Sequence, residues 1–444
     1  MRVLITCFVA LLIVLGQLSS PARAAEDPKL ALGRETLPAN DGWASATTGA
    51  TGGSAADADH VFIVTNRQQL LAALNNADPT PKIIYIKGAI DANVDDNNQP
   101  LTCADYERNG YTLEAYLAAY DPAVWGRSAR PSGPLEDARV ASQLAQQERI
   151  RIRVGSNTTI VGLGKTGRIR GAWLDVRGVS AAPVDNVIIR NITFQDAYDC
   201  FPQWDPTDGS TGNWNSQYDS ISLRFTTHAW IDHNKFSDGD HPDSAQPLYF
   251  GRPYQIHDGQ LDITNASDLV TVSWNRFTDH DKVMLIGSSD SGNTAIGDRG
   301  KLRVTIHHNL FNNVGQRAAR VRFGQVHVYN NYYKIEDPAS YVYSWGVGIE
   351  SQIYAQNNFF RTDDAITPDR FIARFNGAAI YAAGTLVNGT PDRNFVDVVA
   401  AYNAVNDPDL APTVSWTPTL YTAIQPTREV PSAVQNWAGP FLPE

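Results

Sequence analysis

Residues 315–325 read GQRAARVRFGQ, which places Arg317, Arg320 and Arg322 almost side by side in a chain whose formal net charge is -11. A guanidinium fork pairs with carboxylate or phosphate through two parallel hydrogen bonds, so the cluster suits an anionic ligand. The plainer alternative is a set of structural ion pairs with acidic loops. Candidate carboxylates lie upstream in three stretches. DPTDGSTGNWNSQYDS carries Asp205, Asp208 and Asp219, HDGQLD carries Asp258 and Asp262, and DHDK carries Asp279, Asp281 and Lys282. Carboxylates on neighbouring segments could converge on a hard divalent cation such as Ca²⁺, which takes several oxygen ligands at flexible geometry. Asp also serves turns for backbone reasons, and no EF-hand spacing is present, so both readings stay open on the residues alone.

The histidines make no stronger case for a metal. His307 and His308 are adjacent, and in a strand they would point to opposite faces. His233 and His327 read as packed or hydrogen-bonded strand residues. The sequence has no HExxH, no paired CxxC, no Gly-rich loop opening a helix and no GxSxG elbow. Zinc, phosphate-loop and nucleophile-elbow chemistry therefore find no support.

From about residue 150, short β-branched runs recur: TTIVGLG, NVIIRNITF, AWIDHNKF, LVTVSWNRF, RVTIHHNLF, QVHVYNNYY and SQIYAQNNFF. An Asn precedes an aromatic in six of them, at Asn191, Asn234, Asn275, Asn309, Asn330 and Asn357. The spacing, roughly 20 to 40 residues, lies in the range of solenoid repeats. A sandwich of hairpins would space its strands more closely and regularly. The pattern predicts an all-β parallel β-helix, with Asn residues stacked at equivalent turns, aromatics stacked inside, and long loop insertions building a site on one face. A few helices are expected before it, in TNRQQLLAALNNADP capped by Thr65 or Asn66, in TLEAYLAAYDP and in PLEDARVASQLAQQERI, with KIIYIKGAI as a strand and residues 25–58 irregular.

The first residues show a positive start at Arg2, an apolar run from Val3 to Leu15 and the small-residue stretch Ala22-Arg23-Ala24. These predict a secretory signal peptide over residues 1–24, leaving residues 25–444 as one domain. A retained anchor is the alternative, but the apolar run is short for a span. Cleavage removes Cys7, and an oxidising destination would let Cys103 and Cys200 pair; two free thiols remain the alternative. An acidic chain is a poor partner for nucleic acid or anionic membranes.

The stretches WIDHN, NSQYD, HDGQLD, DHDKVMLIGSSDS and QRAARVRFGQVHVYNNYY together resemble the pectate lyases of polysaccharide lyase family 1, in the family's order, from roughly residue 60 to 360. The resemblance implies a right-handed parallel β-helix. It implies Ca²⁺ held by Asp219, Asp258 and Asp262, with Asp208 helping to hold further, substrate-bridging calcium. It makes Arg317 the catalytic residue, with Lys282 and Arg322 binding substrate. The implied substrate is polygalacturonate, cleaved by β-elimination outside the cell by a monomer, with neither nucleic acid nor membrane as partner. One departure stands out: Ala319 occupies a position where the family usually has proline, which would fix φ and aim the loop.

Three other functions compete. A pectin lyase acts on esterified polymer without calcium and has no need of the acidic trio. A polygalacturonase-type hydrolase needs carboxylates flanking the bond, and neither Arg317 nor Lys282. A non-catalytic binding β-helix could stack sugars on Trp204, Trp214 and Trp345.

Overall fold

Most of the recurring β-branched runs form two strands of a coil joined at a turn, and the coils stack. The computed structural model describes residues 28–291, 297–388 and 395–442, so the expected leader lies outside the described residues. Three long sheets of ten, nine and eight strands run the length of the stack. Within each, neighbours pair in parallel and follow one another in chain order. This is a parallel β-helix, and its core is the apolar interior shared by the three sheets.

The eight-stranded sheet carries the chemistry. Its strands are β1 (Arg151–Val154), β2 (Trp173–Arg177), β3 (Ile221–Arg224), β4 (Leu261–Thr264), β5 (Leu285–Ile286), β6 (Arg320–Val321), β7 (Trp345–Gly348) and β8 (Ile372–Phe375). Side chains alternate across a pleated strand. Ile152, Leu174, Ile221, Leu223, Leu261 and Ile263 point into the core and are fully buried. The residues between them face outward in register, so that Arg153, Asp175, Ser222 and Asp262 form one row across β1 to β4.

An asparagine ladder lines one turn of the stack. Asn234, Asn275, Asn309, Asn331 and Asn358 are fully buried. Each of the last four accepts from both the backbone N–H and the Nδ2 of its predecessor at 2.9–3.1 Å. Phe194, Phe236, Phe277, Phe311, Tyr333 and Phe360 stack beside it with centroids 4.3–5.2 Å apart. The sequence reading is corrected at three positions. In the Asn-Asn pairs it is the second residue that joins the ladder, because only that register sets Tyr333 and Phe360 inside. Asn330 and Asn357 instead adopt positive φ at the corner and donate to Gln425 O. At Asn191 the neighbouring Ile192 N–H meets the ladder, donating to Asn234 Oδ1 at 3.0 Å.

Three helices fall where expected, α1 (Arg67–Leu74, capped by Asn66), α3 (Leu113–Tyr120) and α4 (Pro134–Ile150), and a short α2 (Cys103–Tyr106) adds one that was not expected. The last three form an excursion packed against the loop that precedes β3. Cys103 and Cys200 are disulfide-bonded across that contact. Residues 28–60 contain only short 3₁₀ turns. Their backbone crosses the ten-stranded sheet, with Gly53 N donating to Thr159 Oγ1, Ala44 N to Thr271 Oγ1 and Trp43 N to Thr305 Oγ1. The C-terminal segment, with α5 (Val398–Asn403) and α6 (Val430–Trp437), likewise runs from the late coils back toward the early ones. Arg276 donates to Ala438 O and Gln435 O, and Leu442 N donates to Asn191 Oδ1.

Candidate active site

A cleft of about 500 Å³ opens on the outer face of the eight-stranded sheet, lined by Arg130, Asp208, Gln217, Asp258, Lys282 and Arg317 among others. Four of the seven residues singled out from the sequence meet here: Asp208, Asp258, Lys282 and Arg317. Two more lie directly behind. Asp219, just before β3, and Asp262, on β4, are buried on either side of Gly259. A Cβ on Gly259 would sit 2.6 Å from Asp262 Oδ1 and 2.8 Å from Asp219 Oδ1, so only glycine leaves this space open.

The carboxylates are aimed by hydrogen bonds. Asp219 Oδ1 accepts from Gly259 N at 3.0 Å and its Oδ2 from the Ser222 hydroxyl; Asp262 Oδ1 accepts from Leu285 N at 2.9 Å. Burial, with Asp262 and Asp258 close by, pushes the Asp219 carboxyl well above its ordinary range. Burial and the Asp258 charge push Asp262 up to about 6. Of the cations near them, Arg224 Nη2 stands 3.9 Å from Asp219 Oδ2. Buried like charges with spare oxygen lone pairs are the donor set a hard divalent cation takes, and the open space at Gly259 leaves room for it.

Asp258 leans outward, with Oδ1 3.6 Å from Lys282 Nζ. Its carbonyl accepts from His280 Nε2 at 2.8 Å, while His280 Nδ1 meets Asp238 Oδ1 at 2.6 Å. Burial alone would push His280 down; Asp238 overrides it and holds the imidazole up at about 9. No local pattern singles out His280, because its partner Asp238 lies a coil away. Among the described residues, a different trio already brings three ligand atoms within 4.8 Å of one another: Asp238, Asp243 and His257. There His257 Nδ1 sits 3.0 Å from Asp243 Oδ1 and 3.8 Å from Asp238 Oδ2, occupying the place a cation would take.

Arg317 stands at positive φ at the end of a strand, and its carbonyl accepts from Met284 N at 2.8 Å. Burial would lower its pKa, but the Asp258 and Asp262 carboxylates outweigh burial and hold it above its ordinary value. This reverses the direction that cationic neighbours alone would give. The loop after it is pinned without proline. Ala318 and Ala319 are buried, Ala318 N donates to Ser344 O at 2.8 Å, and Ala319 O accepts from Gly346 N at 3.0 Å.

Arg322 does not line the cleft. Its Nε donates to Asp290 Oδ1 at 2.5 Å and its Nη1 to Gly287 O at 3.2 Å. Arg320 lies over the Phe375 ring at 3.9 Å. Asp205 is buried against Arg130, with 2.7 Å between Oδ2 and Nε. Two further sequence readings fail on burial or geometry. Trp204, Trp214 and Trp345 are wholly buried, the first two in the aromatic cluster under α3 and the third in the core, so none can stack on a sugar. His307 and His308 do not point apart, because His308 takes a positive φ and ends the strand, bringing the two Nδ1 atoms to 2.8 Å. His233 and His327 are, as expected, hydrogen-bonded, to Asp232 and Gln356.

The chain as a whole is similar to known proteins. The pectate lyase family model matches residues 1–110 and 132–439. A pectate lyase of Bacillus subtilis is 48% identical over 435 residues, covering 97% of this chain and 98% of that one. A solved thermostable pectate lyase superposes with a TM-score of 0.88 at 51% identity, over 93% of this chain and 99% of the other. A pectate lyase solved with a bound hexasaccharide gives 0.86 at 49% identity, over 92% and 98%. With likeness of this depth running over nearly the whole length, the chain belongs to the pectate lyase family, enzymes that are lyases acting on polysaccharide.

Proposed function

We propose that the chain is a secreted, calcium-dependent pectate lyase that cleaves polygalacturonate by β-elimination and releases unsaturated oligogalacturonides. The observation that carries the reading is the buried pair Asp219 and Asp262 around the open space at Gly259, set on the same face as Lys282 and Arg317. Asp219, Asp262 and Asp258 would hold the calcium, and Asp208, across the cleft, is placed to share a further ion with substrate. Bound calcium would bridge protein and sugar carboxylates and draw charge from the C6 carboxylate as it develops.

The chain's own residues do the rest. Lys282 and Arg317 bind the uronate carboxylate, and their charge counts for more as the C5 proton leaves. That proton goes to a base, its electron pair becomes the C4–C5 double bond, the C4–O bond breaks, and the departing oxygen takes up a proton. Arg317 is either that base or a cationic clamp beside a water-derived base. Arg322 would reach substrate by leaving Asp290. A hydrolase reading is disfavoured because Asp219 and Asp262 are buried and committed to backbone and hydroxyl donors, not free on two sides of a bond. A pectin lyase reading leaves the acidic trio without a purpose.

Secretion is supported by the leader-like start and by the Cys103–Cys200 disulfide, a bond of oxidising compartments. Residues 25–444 then form one domain acting as a monomer; mass spectrometry of the exported protein should find Ala25 first, and light scattering a single chain. The deciding experiment follows ultraviolet absorbance of the unsaturated product on polygalacturonate. The signal should appear with Ca²⁺ and vanish with chelator. A signal indifferent to chelator and stronger on esterified pectin would replace this reading with pectin lyase, and reducing ends without absorbance would replace it with a hydrolase.

A further inference from the structure

The outer face of β1–β3, on the coils before the cleft, is strongly basic in an acidic protein. Arg151, Arg177 and Arg224 gather around the Trp173 ring with their guanidinium carbons 5.4, 5.9 and 5.3 Å from its centroid. Arg153 stands exposed on the same face. Against these four cations stand two buried carboxylates: Asp175, which accepts from Arg151 Nε at 2.7 Å and Arg177 Nε at 3.2 Å, and Asp219, whose Oδ2 lies 3.9 Å from Arg224 Nη2. The side chains of Arg151, Arg177 and Arg224 keep 28–34% of their surface exposed, enough for a ligand to reach them. Burial pushes the Arg177 guanidinium below its ordinary value, and Arg224 and Arg151 push the same way against Asp175.

Register ties this patch to the cleft. The outward row that starts at Arg153 and Asp175 continues through Ser222 to Asp262, and Arg177 pairs with Arg224 in the row beside it. Strands in a sheet stand about 5 Å apart, which puts β2 about 10 Å and β1 about 14 Å from Asp262. Lys282 and Arg317 lie on the coils that follow Asp262. A linear polyanion lying along the stack would therefore meet cations on both sides of the buried carboxylates.

We propose that Arg151, Arg153, Arg177 and Arg224 around Trp173 form a distal subsite that binds carboxylates of a polyuronate chain several sugars away from the bond being cleaved. The inference rests on the lyase reading for its substrate class. Its prediction is a dependence on chain length: the patch adds affinity for polymer and none for a substrate too short to reach it.

The test compares Arg153→Glu and Arg177→Gln with the unchanged protein on polygalacturonate and on trigalacturonate, both with saturating calcium. Arg153 makes no ion pair among the described residues, so its reversal leaves the Asp175 hydrogen bonds intact and should not move the melting temperature. KM on polymer should rise roughly threefold or more, the scale of a half-exposed charge pair, with kcat nearly unchanged and trigalacturonate kinetics unaltered. Unchanged polymer KM in both variants, or an equal loss on the trimer, would overturn the subsite. Retardation of the protein in a polygalacturonate gel containing chelator, against a gel without polymer, judges binding apart from catalysis. If the unchanged protein makes no unsaturated product, the lyase reading has failed. Weaker retardation of Arg153→Glu still upholds the patch, and equal retardation overturns it.

Discussion

Arg317 and Asp262 answer to one another through the space between β4 and the loop before β6. The carboxylates hold the Arg317 proton in place, so whatever neutralises them loosens it. Arg317→Ala should lower kcat on polygalacturonate by about 10²–10⁴-fold, the usual worth of a positioned proton-transfer or charge-stabilising group, while leaving the calcium-induced rise in melting temperature intact. Asp262→Asn should do the opposite to the metal. Without calcium it relieves a buried charge whose pKa stands at about 6, stabilising the chain by on the order of 2 kcal/mol, and it should abolish the rise on adding calcium. In the unchanged protein that rise should be larger at pH 8 than at pH 5, because below about 6 Asp262 carries a proton that the cation must displace. Differential scanning calorimetry with and without calcium measures all of this. The carboxylates and Arg317 were legible in the sequence because short motifs hold them. The capture of Arg322 by Asp290 was not, since the partner comes from another coil, nor was the burial of Trp204 and Trp214, which sit among polar residues in a loop.

The asparagine ladder is the element on which the coils depend. Each ladder Asn serves the backbone of one coil and the side chain of the next. Asn275→Ala would strand the N–H of Asn234 and one of its two Nδ2 hydrogens in a dry interior, the other still meeting Ile189 O. A loss of about 3 kcal/mol is expected, the cost of buried donors without partners, read as a shifted midpoint in urea unfolding. Asn330→Ala, at the corner, loses its bonds to Gln425 in the C-terminal segment and to Asn357 O, strands no buried ladder N–H, and should cost clearly less. The repeat itself was legible because stacking forces the same residue types to recur. Its register in the Asn-Asn pairs was not, because either residue satisfies the spacing and only the inward aromatic decides. The cleft wall was legible as helices, but their place against the loop before β3 was not: the disulfide and the contacts of α4 join segments far apart in the chain.

Across the whole molecule, three histidines sit neutral in the stack. Burial pushes His307 down to about 4 and His327 to about 3, and His308 well below its ordinary value. Their folded pKa values lie below the unfolded one, so the unfolded chain takes up protons that the native chain refuses. Their contribution is present above about 6.5 and is lost as pH falls from there toward 4. Asp41, beside His307, works in the opposite sense, as do the buried Asp199, Asp219 and Asp262, all raised, so the histidine contribution is read as the difference between variant and unchanged protein. His327→Gln should flatten the acid side of the stability profile by up to about 1.4 kcal/mol per pH unit. The two end segments carry a different lesson. A solenoid whose coils touch only their neighbours can peel open from either end, one layer at a time. Here the N-terminal segment is sewn across one sheet from Thr159 to Thr305, and the C-terminal segment runs back from Asn357 to Asn191. Both seams run lengthwise, so a layer cannot fray alone; the stack must open along its length or stay shut. Contacts so distant in sequence make assembly slow, and a stack that opens only along its whole length offers little to any protease that cuts what opens briefly.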